Sequence, residues 1–351
     1  MILPPDHPLV DGRTTAAPLV RAYRGDRPER QPVWFMRQAG RSLPEYRALR
    51  EGQGMLEACL TPDVATEITL QPVRRHQVDA AIFFSDIVVP LKLAGVDVDI
   101  VPGRGPVLAK PIRTALDVTA LRPLDPEALD PIRQAVSQTV AELGSTPLIG
   151  FAGAPFTLAA YLVEGGPSKE HLAARTLMYS DPHTWAALLN WAADVTGQFL
   201  RAQVDAGASA AQLFDSWVGS LSKQNYLKRV APHSKRALRH VIDTGVPTVH
   251  FGVGSSEILP EMKGIGADTI GVDWRLPLDE ANRRLGGTTP LQGNIDPALL
   301  AAPWPVLAAH VRDVLDRGRE APAHVLNLGH GVPPETDPDV LTRIVALAHG
   351  A

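Results

Sequence analysis

Apolar residues recur along this chain in short continuous runs, at 32–36, 80–84, 147–151, 210–214, 247–251, 268–272, 290–292 and 324–328, about eight in all. Most are unbroken rather than alternating, the pattern of strands covered by helices on both faces. Longer stretches with helical spacing lie between them. Residues 62–76 predict one helix, with Thr61 as N-cap and Pro62 at its first position. Residues 181–206 predict another, opening on Asp-Pro and carrying Trp185, Leu188, Leu189, Ala192 and Phe199 at helical intervals. A third follows the run at 147–151, over 155–166. Strand-helix alternation along the whole chain means a parallel sheet. Eight repeats favour one domain spanning 1–351, an α/β fold of the (β/α)8 TIM-barrel type, over an open doubly wound sheet.

Two regions break the alternation. Residues 88–112 contain Val96-Asp97-Val98-Asp99-Ile100, a glycine turn around Arg104, then Val107-Leu108, which predicts a hairpin inserted after the second barrel strand. The stretch before Pro32 is rich in Pro, Arg and Asp and predicts an irregular arm or short helix outside the barrel.

Length leaves one or two domains open at 351 residues, so the alternation decides. Hydrophobic residues at 45% and charged residues at 21% fill a core and keep a polar surface. A net charge of -4 provides no overall field for nucleic acid or an anionic membrane, so any anion site must be local. The single cysteine, Cys59, excludes an internal disulfide and leaves too few thiolates for a structural zinc or an iron-sulfur cluster, which suits a cytoplasmic setting. Residues 1–12 have neither the basic nor the apolar part of a secretory signal. The apolar stretch around 80–96 is broken by Ser85, Asp86 and Lys92, so no membrane span is expected.

In barrels of this class the chemistry sits at the C-terminal strand ends. There the chain places Arg37-Gln38-Ala39-Gly40-Arg41, Ser85-Asp86, Ala152-Gly153-Ala154-Pro155, Asp215-Ser216-Trp217 and Gly329-His330-Gly331. Arg37 and Arg41, four apart on a glycine-containing turn, suit bidentate capture of carboxylates or phosphates; the ordinary alternative is a surface pair with a nearby Glu. Asp86 follows four apolar residues and needs a partner, either an Arg in a buried salt bridge or a ligand N–H or developing cation. Tyr161 alone reads more often as a core tyrosine with a satisfied hydroxyl. Ser216 lacks a Gly-x-Ser-x-Gly elbow, so its hydroxyl suits binding rather than nucleophilic attack. His330 stands between two glycines, which admit a ligand closely, although a loop-capping histidine has the same look. No dinucleotide-binding glycine turn, Walker lysine motif or His-x-x-x-His spacing is present, so neither a nucleotide cofactor nor a catalytic metal is predicted.

Read together, these residues resemble a known family. Pro32-Val-Trp-Phe-Met-Arg-Gln-Ala-Gly-Arg41, followed by Ser42-Leu-Pro-Glu-Tyr46, resembles the N-terminal signature of uroporphyrinogen decarboxylases. Gly150-Phe-Ala-Gly-Ala-Pro-Phe-Thr-Leu158, running on to Tyr161 and Glu164-Gly-Gly166, resembles their second signature. Further matches are Phe83-Phe-Ser-Asp86, Gln212-Leu-Phe-Asp-Ser-Trp217, Leu291-Gln-Gly-Asn-Ile-Asp-Pro297 and Asn327-Leu-Gly-His-Gly331, in family order from the first strand to the last.

The resemblance implies a cofactor-free enzyme of porphyrin and haem biosynthesis that removes CO2 from the four acetate side chains of uroporphyrinogen III, giving coproporphyrinogen III. It implies Asp86 as acceptor of pyrrole N–H groups, and Arg37, Gln38, Arg41, Tyr161, Ser216 and His330 as substrate-binding residues. Arg37 would also assist proton delivery, and Tyr161 would help orient Asp86. A homodimer is implied as well. Two other readings compete: a zinc-dependent methyltransferase of the same barrel superfamily, and a non-catalytic tetrapyrrole-binding protein. Cys59, away from a strand end, fits the zinc reading poorly.

Overall fold

A computed structural model describes residues 3–350; Met1 and Ile2, the start of the predicted arm, and Ala351 lie outside the described residues. Seven parallel strands form one curled sheet: β1 (Ala81–Ile82), β4 (Leu148–Gly153), β5 (Ala210–Asp215), β6 (Thr248–Gly252), β7 (Thr269–Gly271), β8 (Leu291–Ile295) and β9 (His324–Leu328), each paired with the next. Between them in the chain, β2 (Val98–Val101) and β3 (Gly105–Leu108) pair antiparallel as a separate ribbon, with Gly103 and Gly105 at positive φ. Strands β4, β6, β8 and β9 are buried at every residue; β4 accordingly runs apolar without alternation, whereas β6, β8 and β9 also bury polar side chains such as His250, Gln292 and Asn327.

The run at 32–36 lies between the two edges of this sheet. Val33 forms a parallel bridge with Leu326, and Leu326 N–H donates to Pro32 O at 2.9 Å. On the other side, Asp79 N–H donates to Val33 O at 2.8 Å. The segment makes no longer ladder for three local reasons. Pro32 has no N–H to give, the Asp79 carboxylate takes the Val33 N–H at 2.8 Å, and the chain turns at once, with Gln38 N–H on Phe35 O.

The helix Pro62–His76 has the predicted bounds, but Thr61 does not cap it through its side chain: Thr61 Oγ1 donates instead to Glu57 O of the preceding turn. Asp181 does cap its helix, Pro182–Asp205, accepting from Thr184 N–H at 3.1 Å. Pro155–Glu164 ends on Gly165 in the left-handed conformation, as a helix C-terminus favours.

The arm contains the helix Pro18–Tyr23, and it does not stay outside the sheet. Tyr23 is fully buried; its hydroxyl donates to Gln292 Oε1 of β8 at 2.5 Å and accepts from Trp34 Nε1 at 3.0 Å, while Gln292 Nε2 donates to Gln212 Oε1 of β5. The aromatic body is what sequence reading could not place: Tyr23 buries its ring only because a polar group inside the sheet receives its hydroxyl.

Candidate active site

The strand ends that carry polar residues converge at one mouth. Arg37 sits in the turn after 32–36 with φ 61°, a left-handed conformation that costs a non-glycine residue about 1 kcal/mol. Its stem lies against the last loop. A Cβ built on Gly331 would stand 2.5 Å from Arg37 Cδ, so glycine at 331 leaves room for the arginine stem.

Neither Arg37 nor Arg41 forms an ion pair with a carboxylate among the described residues, and both are exposed. The alternative of a surface pair with a nearby Glu is thus absent: Glu45, the acid next along the chain, is taken by Arg75 at 2.7 Å.

Gln38 comes next along this turn. It is completely buried, its Oε1 accepts from Phe35 N–H at 3.0 Å and its Nε2 donates to Ala80 O at 3.1 Å. With its amide spent on two backbone groups, Gln38 fixes the Arg37 turn against Ala80, just before β1.

Asp86 follows β1 through buried Phe83 and Phe84. It has no salt bridge among the described residues; Oδ1 accepts one hydrogen bond, from Val88 N–H at 3.0 Å. Burial pushes its carboxyl up from the ordinary value of 3.8, partly offset by the Val88 hydrogen bond and by the positive charge of Arg37. A carboxylate desolvated in this way and left without a cation is primed to receive one.

Tyr161 and Trp217 form the facing wall, their rings stacked with centroids 3.9 Å apart. Burial and the nearby Asp86 charge push the Tyr161 phenol up to about 12, with Arg37 pulling the other way, so Tyr161 keeps its proton and can donate it in a hydrogen bond. Thr157, on the same helix, holds this wall in place. Its hydroxyl donates to Asp215 Oδ1 at 2.8 Å and accepts from Trp217 N–H at 3.3 Å.

Ser216 lies one residue beyond Asp215, half-buried, and lines a cleft of about 420 Å³ beside Trp217. His330 is half-buried at the end of β9. Its Nδ1 accepts from Gly331 N–H at 2.7 Å, which leaves Nε2 as the protonated nitrogen of the neutral ring. Burial, Arg37 and Arg275 lower its pKa to about 4 against an opposing pull from Asp273, so the imidazole is neutral at physiological pH.

The structure therefore brings Arg37, Asp86, Tyr161 and His330 into one electrostatic neighbourhood, with Ser216 on its flank and Arg41 on the exposed side. Sequence reasoning missed Asp273-Trp274-Arg275 at the end of β7. Arg275 Cζ lies 3.9 Å from the Trp274 ring centroid, and its Nη1 holds Asp273 at 2.6 Å. The strand-end rule, applied after 268–272 as it was after five other runs, finds these residues. It also missed His171, which sits 4.3 Å from the Trp217 ring and carries no motif.

Among the described residues no three His, Cys, Asp or Glu side chains are grouped so as to hold a metal ion. Cys59 is buried within the helix Met55–Leu60, where burial pushes its thiol up, away from the thiolate that binds zinc. No helix among the described residues is long and apolar enough to cross a membrane.

Residues 14–351 match the family described as Uroporphyrinogen decarboxylase (URO-D). The chain is similar to the uroporphyrinogen decarboxylase of Arthrobacter sp. (strain FB24), 71% identical over 340 residues that cover 97% of this chain and 99% of that one. It is 64% identical to the uroporphyrinogen decarboxylase of Leifsonia xyli subsp. xyli (strain CTCB07) over 369 residues, covering 99% and 98% of the two chains. Among solved structures, a methyltransferase from Methanosarcina mazei has the same fold, with a TM-score of 0.80 over 95% of this chain and 98% of its own. At 19% identity that likeness concerns the fold alone.

Proposed function

The chain belongs to the uroporphyrinogen decarboxylase family, and from that premise we propose how its mouth performs the reaction, with Asp86 under the pyrrole nitrogens. The chain is a carboxy-lyase that decarboxylates uroporphyrinogen. Each acetate side chain leaves CO2 and becomes a methyl group, so one proton is taken up per CO2 released.

Protonation of a pyrrole ring makes an iminium-like cation. The bond to the carboxylate then breaks and its electron pair enters the ring. The carbon that lost CO2 takes up a proton, and the ring returns its own and becomes aromatic again. The substrate is its own electron sink, so the chemistry needs no added carrier. What remains for the protein is to bind a polyanion and to stabilise positive charge in a dry site.

Asp86 does the second: a carboxylate at an apolar strand end, without a salt bridge among the described residues, accepts pyrrole N–H groups and lowers the energy of the cation. This single observation carries the reading. Arg37 and Arg41, without carboxylate partners among the described residues, take substrate carboxylates, and Arg37 assists proton delivery through water. Neutral His330 donates from Nε2, Tyr161 from its hydroxyl, and Ser216 from the cleft side. Tyr161 also orients Asp86. Gln38 acts as a positioning residue for Arg37.

Counting 32–36 as the first strand, the sheet reads as a closed eight-stranded barrel in one domain, with the β2-β3 ribbon inserted after its second strand; the hydrogen bonds of Pro32 and Trp34 to Leu326 on one edge, and of Val33 to Asp79 beside the other, support that reading. Family membership supports a homodimer and a cytoplasmic location. Sedimentation of the purified protein as a monomer at micromolar concentration would remove the dimer.

The test of the reaction is anaerobic incubation of protein with uroporphyrinogen III, followed by oxidation and chromatography of the porphyrins by carboxylate number. Stepwise loss down to the four-carboxylate product is expected. Untouched substrate from folded protein would defeat the assignment.

A further inference from the structure

The cleft beside Trp217 has chemistry that the decarboxylation steps above leave unused. Its walls include Lys169, Arg175 and Arg275, opposed by one carboxylate, Glu170, and it is joined to the candidate active site through Ser216 and Trp217. In a chain of net charge -4 this is a local concentration of cations. Arg275 is held by Asp273, but neither Lys169 nor Arg175 forms an ion pair with a carboxylate among the described residues; Arg175 reaches only the Glu170 carbonyl, at 3.4 Å.

His171 is the second observation. It lines the cleft, is only 4% exposed, and neither ring nitrogen has a hydrogen-bond partner among the described residues. A buried imidazole without partners is costly, and such groups are normally satisfied by water or ligand. Its backbone is strained as well. Three non-glycine residues among those described have positive φ: Gln77, which ends a helix, and Arg37 and His171, which both stand at the mouth.

We propose that this cleft is a second carboxylate site, which takes a propionate arm of the tetrapyrrole while the centre of the macrocycle rests on Asp86. The inference rests on the decarboxylase reading. Propionates, unlike acetates, survive every step, so a site for them holds the substrate with the same contact through four successive losses of CO2. Lys169 and Arg175 supply charge, and Ser216 and His171 supply hydrogen-bond donors. His171 reaches the carboxylate by turning its ring on Trp217.

Lys169→Met and Arg175→Met, singly and together, test this. In the double variant KM for uroporphyrinogen should rise about tenfold, the worth of one charge-assisted contact, while kcat stays within about twofold. A KM unchanged in the double variant overturns the proposal, and so does a fall in kcat at constant KM. The second measurement does not need turnover: quenching of tryptophan fluorescence by coproporphyrin, an unreactive macrocycle whose carboxylates are all propionates. Its affinity should fall about tenfold in the double variant and should not fall for a porphyrin ester without free carboxylates. Wild-type protein that binds coproporphyrin in this way yet leaves uroporphyrinogen untouched would defeat the decarboxylase reading and keep the cleft. Inhibition by succinate or inorganic phosphate that disappears in the double variant, with KM for substrate unaltered, would make it a site for free small anions and overturn the propionate assignment.

Discussion

Replacing Asp86 by Asn separates what this residue does for catalysis from what it costs the fold. The two side chains have the same shape, and Asn Oδ1 can keep the hydrogen bond that Val88 N–H makes to Asp86 at 3.0 Å. Only the charge is removed. A full carboxylate charge about 4 Å from a pyrrole cation contributes about 4 kcal/mol at an effective dielectric constant near 20, so Asp86→Asn should lower kcat about a thousandfold. Stability should move the other way. Burial raises the Asp86 pKa above 3.8, so the folded state binds its proton more tightly than the unfolded chain does. Below the unfolded value both states are protonated and nothing is lost; as pH rises through the folded pKa, folding must hold an ill-solvated carboxylate and stability falls. The Asn variant escapes that penalty. It should unfold at a higher temperature than wild type at about pH 7, with the gap shrinking towards about pH 4. The assays are single-turnover decarboxylation under anaerobic conditions and calorimetry across that range. Turnover within about tenfold of wild type would refute the electrostatic role. A gap in melting temperature that does not narrow with acid would refute the account of burial.

Three further outcomes follow from local geometry. Gly331→Ala places a methyl group 2.5 Å from Arg37 Cδ, so the flexible arginine must shift; KM should rise several-fold with little loss of fold stability, and unchanged kinetics would show that Arg37 does not bind substrate. His330 has its pKa lowered to about 4, so its folded form favours the neutral ring: the stability it contributes is present above about 6.5 and lost as pH falls towards 4. The profile of kcat/KM should therefore show no inflection near 6.5 that vanishes in His330→Gln. Asp79 is buried and holds Val33 N–H and His349 Nε2, each at 2.8 Å, together with Arg30. Asp79→Ala leaves the Val33 donor buried and unpaired and loosens the closing segment; denaturant unfolding should show a loss of about 3 kcal/mol, and a loss under about 0.5 kcal/mol would mean the segment is held by packing alone.

Much of this molecule was legible in the order of its residues. Continuous apolar runs mark strands buried on both faces, and the rule that barrel chemistry follows those runs points to Arg37, Asp86, Ser216 and His330 from sequence order alone. Both are one-dimensional signals, because strand direction in a parallel sheet puts every C-terminal end on the same side. The signature around Arg37 and Arg41 identified the family for the same reason, being local.

Partnership was not legible, because it depends on residues far apart in the chain. The sequence allowed Asp86 a buried arginine and Arg37 a surface glutamate; the fold leaves Asp86 without a salt bridge among the described residues and assigns Glu45 to Arg75. Gln38 stands in the same signature as Arg37, but the folded turn spends its amide on Phe35 and Ala80. Tyr23 lies in an arm that reads as peripheral, and only the glutamine of β8 explains its burial. Trp217 acquires Tyr161 on one face and His171 on the other from two different helix ends. Chain order determined which side chains stand at the mouth. Burial and contact across the fold decided which of them are unpaired, neutral or strained, since desolvation and hydrogen bonding are properties of the packed interior.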